Sequence, residues 1–171
     1  MKNILLLIAS FLIFSCQEEG DVQTQAKLVT LEDMKSQIGF VLFDSEYDSY
    51  QPNSDLVQQI KESYDSLNTD FFLFIEPTCK CLGNTESVPK IFRILNDAGI
   101  NSEHVKIYSM LYASMMNPDF DDDPNFNLNS LPSFFVRKQN TNYIELFSSY
   151  SGQDSTSEDT LENYLLEALN N

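Results

Sequence analysis

The sequence predicts an α/β domain built on a central mixed sheet with helices on both faces, and three observations carry that reading. Short apolar runs of strand length alternate with segments whose apolar residues recur every three or four positions, the pattern of strands interleaved with helices. The run Asp70-Phe71-Phe72-Leu73-Phe74-Ile75 is apolar without a break, which suits a central strand covered on both sides. Pro132-Ser133-Phe134-Phe135-Val136 and Tyr143-Ile144-Glu145-Leu146-Phe147, joined around Gln139-Asn140-Thr141-Asn142, read as an antiparallel hairpin, so the sheet is mixed.

Taken in order, the 171 residues open with Lys2, an apolar run from Ile4 to Phe14 and small Ser15 before Cys16, the three parts of a signal peptide over residues 1–15. The run is too short for a transmembrane helix, which needs about 20 apolar residues. Residues 16–33 are polar, acidic at the start and without pattern, as expected of a tether, and residues 34–171 form the folded domain. Ile38-Gly39-Phe40-Val41-Leu42-Phe43 reads as a buried strand and Asp44 to Pro52 as a loop. Leu56, Ile60, Tyr64 and Leu67 then fall at helical spacing, with Asn53 or Ser54 to cap the first turn. The central strand leads directly into Glu76-Pro77-Thr78-Cys79-Lys80-Cys81. Val88, Ile91, Phe92 and Leu95 define a second helix that Gly99 terminates. Val105 to Met110 is a third strand, Asn117 to Ser130 an acidic, Asn-rich loop, and after the hairpin Leu161, Tyr164, Leu165 and Ala168 share one helical face. Ser155-Thr156-Ser157-Glu158 is positioned as a capping box for that helix. The expected order is β-α-β-α-β-β-β-α.

Charge narrows the partners. All 26 acidic residues follow residue 15 and one of the ten basic residues precedes it, so the remaining chain carries nine positive against 26 negative charges, a net of −17. Such a chain repels phosphate backbones, which excludes nucleic acid as a partner. Cysteine use is sharper still. With Cys16 in the leader region, only Cys79 and Cys81 remain, and a bridge across one intervening residue constrains the unfolded chain too little to serve as a structural staple. The pair therefore points to thiol chemistry. A ring this small is strained, which favours the dithiol and makes the pair oxidising.

Ile13-Phe14-Ser15-Cys16 resembles the lipobox of bacterial lipoproteins, and Gln17-Glu18-Glu19-Gly20-Asp21 is similar to the acidic export signal of Bacteroidetes-type lipoproteins. The resemblance implies lipidation of Cys16 and an outer-membrane lipoprotein on the periplasmic or cell-surface side, held to the membrane by its lipid. The alternative is an ordinary secretory signal beside a fortuitous cysteine.

The order of elements, the cysteines at the end of a central strand and the proline that opens the hairpin resemble the thioredoxin-like fold across roughly residues 36–170. In that family a proline lies in the active-site helix eight positions after the nucleophilic cysteine, and Pro89 lies eight positions after Cys81. The run Val88-Pro89-Lys90-Ile91-Phe92 is similar to the helix of extracytoplasmic thioredoxin-like proteins. The resemblance implies that Cys81 is the nucleophile, that the motif reads Cys81-Leu82-Gly83-Asn84 with Asn84 in place of its second cysteine, and that Pro132 corresponds to the family's cis-proline, which helps dock an extended substrate. It also implies that protein thiols or disulfides are the partners. This chain departs from the family in lacking a tryptophan before the motif, in having Leu131 before Pro132, and in having apolar Ile75 where a carboxylate is often buried.

Chemistry at such a site follows from general physics. Unpaired backbone N–H groups and the positive end of the dipole at a helix N-terminus favour thiolate over thiol, and Lys80 adds a positive charge. Cys81 then attacks a disulfide and Cys79, before it in sequence, resolves the mixed disulfide. Two other readings stay open: Asn84 as the N-cap of a helix beginning at Thr85, leaving both cysteines in a loop, and Pro132 as an ordinary trans proline at a strand start. A non-catalytic binding module of the same fold is the alternative function. Cys79, Cys81, His104, Met110, Met115 and Met116 are soft ligands of the kind that suit Cu(I). The alternation Asp119, Asp121, Asp123, Asn125, Asn127 lacks the glycine and terminal glutamate of a calcium loop. One histidine allows no Ser/His/Asp set, no Gly-rich phosphate loop is present, and no cofactor or resident metal is expected.

Overall fold

The computed structural model describes residues 25–115, 126–139, 141–148, 150 and 160–171. The signal peptide, Cys16, Met116, the Asp119 to Asn125 stretch and the Ser155–Glu158 box lie outside them. A first strand, β1 (Lys27–Val29), and a short helix, α1 (Leu31–Lys35), stand in the stretch expected to be tether or to precede the domain. A local device makes α1: the Thr30 hydroxyl accepts from Asp33 N–H at 3.1 Å while the Asp33 carboxylate accepts from Thr30 N–H at 3.2 Å, a reciprocal cap.

The run expected to be a strand at 38–43 is instead a 3-10 turn (Ile38–Phe40) followed by α2 (Phe43–Ser49). Phe40 and Phe43, three residues apart, are buried while Ile38, Val41 and Leu42 are about half or more exposed, which is the spacing of a helical turn and not of a strand buried on both faces. The sheet position beside β3 (Val105–Ser109) that a further strand could have taken is occupied by β1, which pairs antiparallel with it, Val29 opposite Ile107.

Asn53 caps α3 (Ser54–Ser63) by accepting from Asp55 and Leu56 N–H, as one of the two expected caps; Leu67 lies beyond the helix, exposed. The central strand β2 (Thr69–Ile75) is followed by α4 (Val88–Asp97), which ends at Ala98 before Gly99 with φ +76°, a left-handed stop that glycine adopts without strain. Strands β4 (Ser133–Lys138) and β5 (Ile144–Glu145) form the antiparallel hairpin. The closing helix α5 (Leu161–Asn170) is capped by Thr160, whose hydroxyl accepts from Asn163 N–H at 3.3 Å, so it starts later than the Ser155–Glu158 box would place it.

The sheet order is β1-β3-β2-β4-β5. β2 and β3 are parallel, connected through α4, whereas β4 runs antiparallel to β2, with Leu73 opposite both Ile107 and Phe134. Alternate residues divide the core. Phe71, Leu73 and Ile75, with Val105, Ile107, Phe134 and Val136, meet the buried residues of all five helices. Phe72, Phe74 and Phe135 point to the opposite face, where Met110, Phe126, Leu128 and Tyr143 cover them. The expectation of helices on both faces is met on one face by α-helices, while among the described residues the other face is covered by the short 3-10 turn Ala113–Met115, loops and aromatic rings. Phe74, Phe126, Phe135 and Tyr143 pack tilted or edge-to-face with centroids 4.7–6.1 Å apart, and Lys106 and Arg137 lie over Phe72. Both cations also bond the Asp70 carboxylate at 3.1 Å, so the polar ends of the layer are paired. Among the described residues no helix is long and apolar enough to cross a membrane.

Candidate redox site

The strand β2 delivers a short strap, residues 76–81, to its C-terminal edge. Ile75, fully buried, still holds the sheet there by accepting from Met110 N–H at 2.9 Å. Beyond it the strap folds back on itself, with Cys79 N–H donating to Glu76 O at 3.3 Å, and Cys79 and Cys81 are joined as a disulfide with Cα atoms 5.3 Å apart. Both cysteines are part-exposed and Lys80 between them is exposed, so a partner can reach the sulfurs. Cys81 N–H donates to Cys79 Sγ at 3.2 Å.

Helical backbone begins immediately after Cys81. Leu82 has φ −56° and ψ −34°, Gly83–Ser87 form a π-helical turn, and α4 follows without interruption. Asn84 is thus inside the helical run and fully buried, which removes the reading of Asn84 as an N-cap and puts Cys81 at the helix N-terminus. Pro89 explains the wide turn: without an N–H, and with a ring that would press on the carbonyl four residues back, it is accommodated where Val88 N–H reaches five residues back to Gly83 O.

Asn84, buried in the first helical turn, ties the strap down. Its Nδ2 donates to Glu76 O at 2.7 Å and to Cys79 O at 2.9 Å. Gly39, from the 3-10 turn, closes over the same strap: its N–H donates to Pro77 O at 2.9 Å, and a Cβ there would come within 2.8 Å of Cys79 O and Pro77 O. The Leu131–Pro132 bond is cis, and Pro132 sits against Gly83, where a Cβ would lie 2.6 Å from Pro132 Cδ. Pro132 therefore packs on the helical turn that follows Cys81, at the end of the sheet where the Cys79–Cys81 strap leaves β2. Gly39, Gly83 and Thr85 escaped the sequence reading; a glycine's need for closeness to a distant residue leaves no local signal, although the identity of Asn84 marked the helix turn.

Among the described residues, His104 and Met110 of the copper set do not join the cysteines, and Met116 lies outside the described residues. His104 precedes β3 at the end where Phe71 pairs with Val105, while the cysteines follow the end where Ile75 pairs with Ser109, five residues away at roughly 3.3 Å each. Met110 is fully buried in the aromatic layer, and among the described residues no group of three or more His, Cys, Asp or Glu side chains is placed to hold a metal ion. A groove of about 560 Å³, lined by Leu31, Phe43, Phe92 and Ile100 with Lys35 and Asp48, lies apart from the strap and includes none of its residues. Comparison of the chain with protein-family models, curated proteins and solved structures finds no match.

Proposed function

We propose that this chain is a lipid-anchored, thioredoxin-like protein that exchanges disulfides with protein partners outside the cytoplasm, Cys81 acting as nucleophile and Cys79 as resolving thiol. One observation carries the reading: a part-exposed Cys79–Cys81 disulfide at the start of a helix that follows the central strand, with cis Pro132 packed on the first helical turn. The parallel β2-α4-β3 unit beside an antiparallel hairpin supports the thioredoxin-like assignment. The leader with Cys16 supports the anchor and the oxidising compartment in which a disulfide persists.

In the reducing direction the Cys81 thiolate attacks one sulfur of a substrate disulfide, forms a mixed disulfide and expels one substrate thiolate. Cys79 thiolate then attacks Cys81 Sγ and expels the second, so the substrate gains two electrons and the pair becomes the disulfide. The opposite direction reverses each step. Helix-start N–H groups stabilise thiolate on Cys81, and Cys81 N–H does the same for Cys79, whose sulfur it already contacts. Exposed Leu82, on the residue after the nucleophile, and exposed Ile38, Val41 and Leu42, flanking Gly39 and Phe40, give the site an apolar rim for an unfolded or extended partner.

The test is disulfide exchange by the full chain in detergent with a model protein substrate. Cys81→Ser is expected to abolish exchange, and Cys79→Ser to accumulate the mixed disulfide. The reading fails if Cys81→Ser exchanges as fast as the parent chain.

A further inference from the structure

Two consecutive residues hold the two cysteines. Asn84 Nδ2 donates to Cys79 O at 2.9 Å, and Thr85 holds Cys81 O with both its N–H, at 3.0 Å, and its Oγ1, at 3.1 Å. The second donor position of the Asn84 amide is spent on Glu76 O, so both amide hydrogens serve the strap, while the buried Oδ1 accepts no hydrogen bond from the described residues. Only Lys80 separates the two anchored carbonyls, and the cysteine Cα atoms are held 5.3 Å apart. A cysteine at position 84 could supply no such pair of donors, since a thiol carries one weak one.

We propose that Asn84 is the positioning residue of the Cys79–Cys81 couple: with Thr85 it fixes the strap on the first helical turn and thereby favours the disulfide over the dithiol. The proposal rests on the redox reading above and extends it to what sets the equilibrium. Thr85 N–H and the helix hold Cys81 in either redox state, and the Thr85 hydroxyl narrows the freedom left to the Cys81 carbonyl at the end of the strap. Cys79 is different, because once the S–S bond opens, the strap around it keeps its own bond from Cys79 N–H to Glu76 O and is tied to the rest of the domain by Asn84 at residues 76 and 79 and by Gly39 at residue 77. Without Asn84 the reduced strap gains conformations that ring closure must remove again, and the disulfide loses that advantage. The same holding keeps Cys79 beside Cys81 while Cys81 is in a mixed disulfide, which shortens the life of that intermediate.

The measurement is equilibrium of the full chain, in detergent, with glutathione buffers. Two glutathione thiols reduce the Cys79–Cys81 bond and leave as one glutathione disulfide, and alkylation with mass detection counts the protein thiols. For Asn84→Ala the constant for disulfide formation is expected to fall about tenfold, a shift of about 30 mV toward a more oxidising pair. Thr85→Val, which keeps the N–H and loses the hydroxyl, is expected to fall two- to threefold. Unfolding of each variant in both redox states separates positioning from bulk stability: positioning destabilises the oxidised chain more than the reduced one. Equal destabilisation of both states with an unchanged constant in Asn84→Ala overturns the proposal, and should that variant not fold, an unchanged constant in Thr85→Val overturns it. Glutathione reports on the couple alone, so a shifted constant beside absent exchange with proteins would sink the functional reading and leave this one standing.

Discussion

Gly83 packs directly on the ring of Pro132, with a Cβ at Gly83 falling 2.6 Å from Pro132 Cδ. The contact ties the helix start that follows Cys81 to the strand start of β4, elements some fifty positions apart in sequence. Gly83→Ala gains about 1 kcal/mol of helix propensity, but the methyl group meets a ring that is anchored at both ends and cannot swing away. The clash is expected to win, lowering stability by about 1–3 kcal/mol in urea unfolding. A variant as stable as the parent chain would mean that the two elements do not meet.

A buried carboxylate ties α5 to the α2–α3 junction. Glu162, 2% exposed, accepts from Tyr50 OH at 2.9 Å and from Asn53 N–H at 3.1 Å. Burial, and then the Glu162 charge and hydrogen bond, raise the Tyr50 phenol above its ordinary range. A phenol raised on folding contributes stability that is complete below pH 10 and is lost as pH rises beyond it. Tyr50→Phe is therefore expected to cost about 1–3 kcal/mol at neutral pH, where it leaves a buried acceptor short of a donor, and to flatten the alkaline fall of the unfolding midpoint. A variant with the parent's alkaline slope would contradict this.

Acid dependence has the opposite sign at Asp70. Partial burial raises its carboxyl, but hydrogen bonds from Arg137 and Lys106 outweigh this and hold it below its ordinary 3.8. Its contribution is present above that value and is lost as pH falls through the lowered one. The pairs are 30–48% exposed, so screening keeps Asp70→Asn to less than about 1 kcal/mol at pH 7. The difference from the parent chain is expected to shrink as pH falls below 3.8 and to vanish once the lowered carboxyl is protonated, as read from urea midpoints against pH.

The sequence disclosed the elements whose signals are local. The unbroken run at β2, the helical spacing of Val88, Ile91, Phe92 and Leu95, and the stop at Gly99 all recur in the structure because periodicity and left-handed backbone are properties of neighbours. The run at Ile38–Phe43 misled for the same reason, since a short apolar segment has the same composition in a strand and in a turn, and competition with β1 for the sheet edge is not written locally. β1 itself, three residues with exposed Leu28, has no pattern of its own and exists through its register with β3. At the site, both cysteines and Pro132 were legible as residue types at telling positions. The task of Asn84 was not, because its partners, Glu76 O and Cys79 O, are backbone atoms that any sequence would offer.

The apolar rim gives a prediction that separates recognition from chemistry. Leu82 is 65% exposed and Val41 likewise 65%, so replacing either with serine removes little from the folded core. If a protein partner lies across these residues when its thiol meets the Cys79–Cys81 disulfide, each replacement forfeits apolar burial that forms only in the encounter. Burying such a side chain fully is worth about 1.5–3 kcal/mol, and a partly covered one about 1 kcal/mol, or roughly fivefold in kcat/KM. Leu82→Ser and Val41→Ser are each expected to slow exchange with a reduced, unfolded protein by about that factor. Glutathione, too small to span the rim, should react with both variants at the parent rate. Equal slowing with both substrates would instead place the effect at the sulfurs, and no slowing with either would leave the rim without a part in recognition.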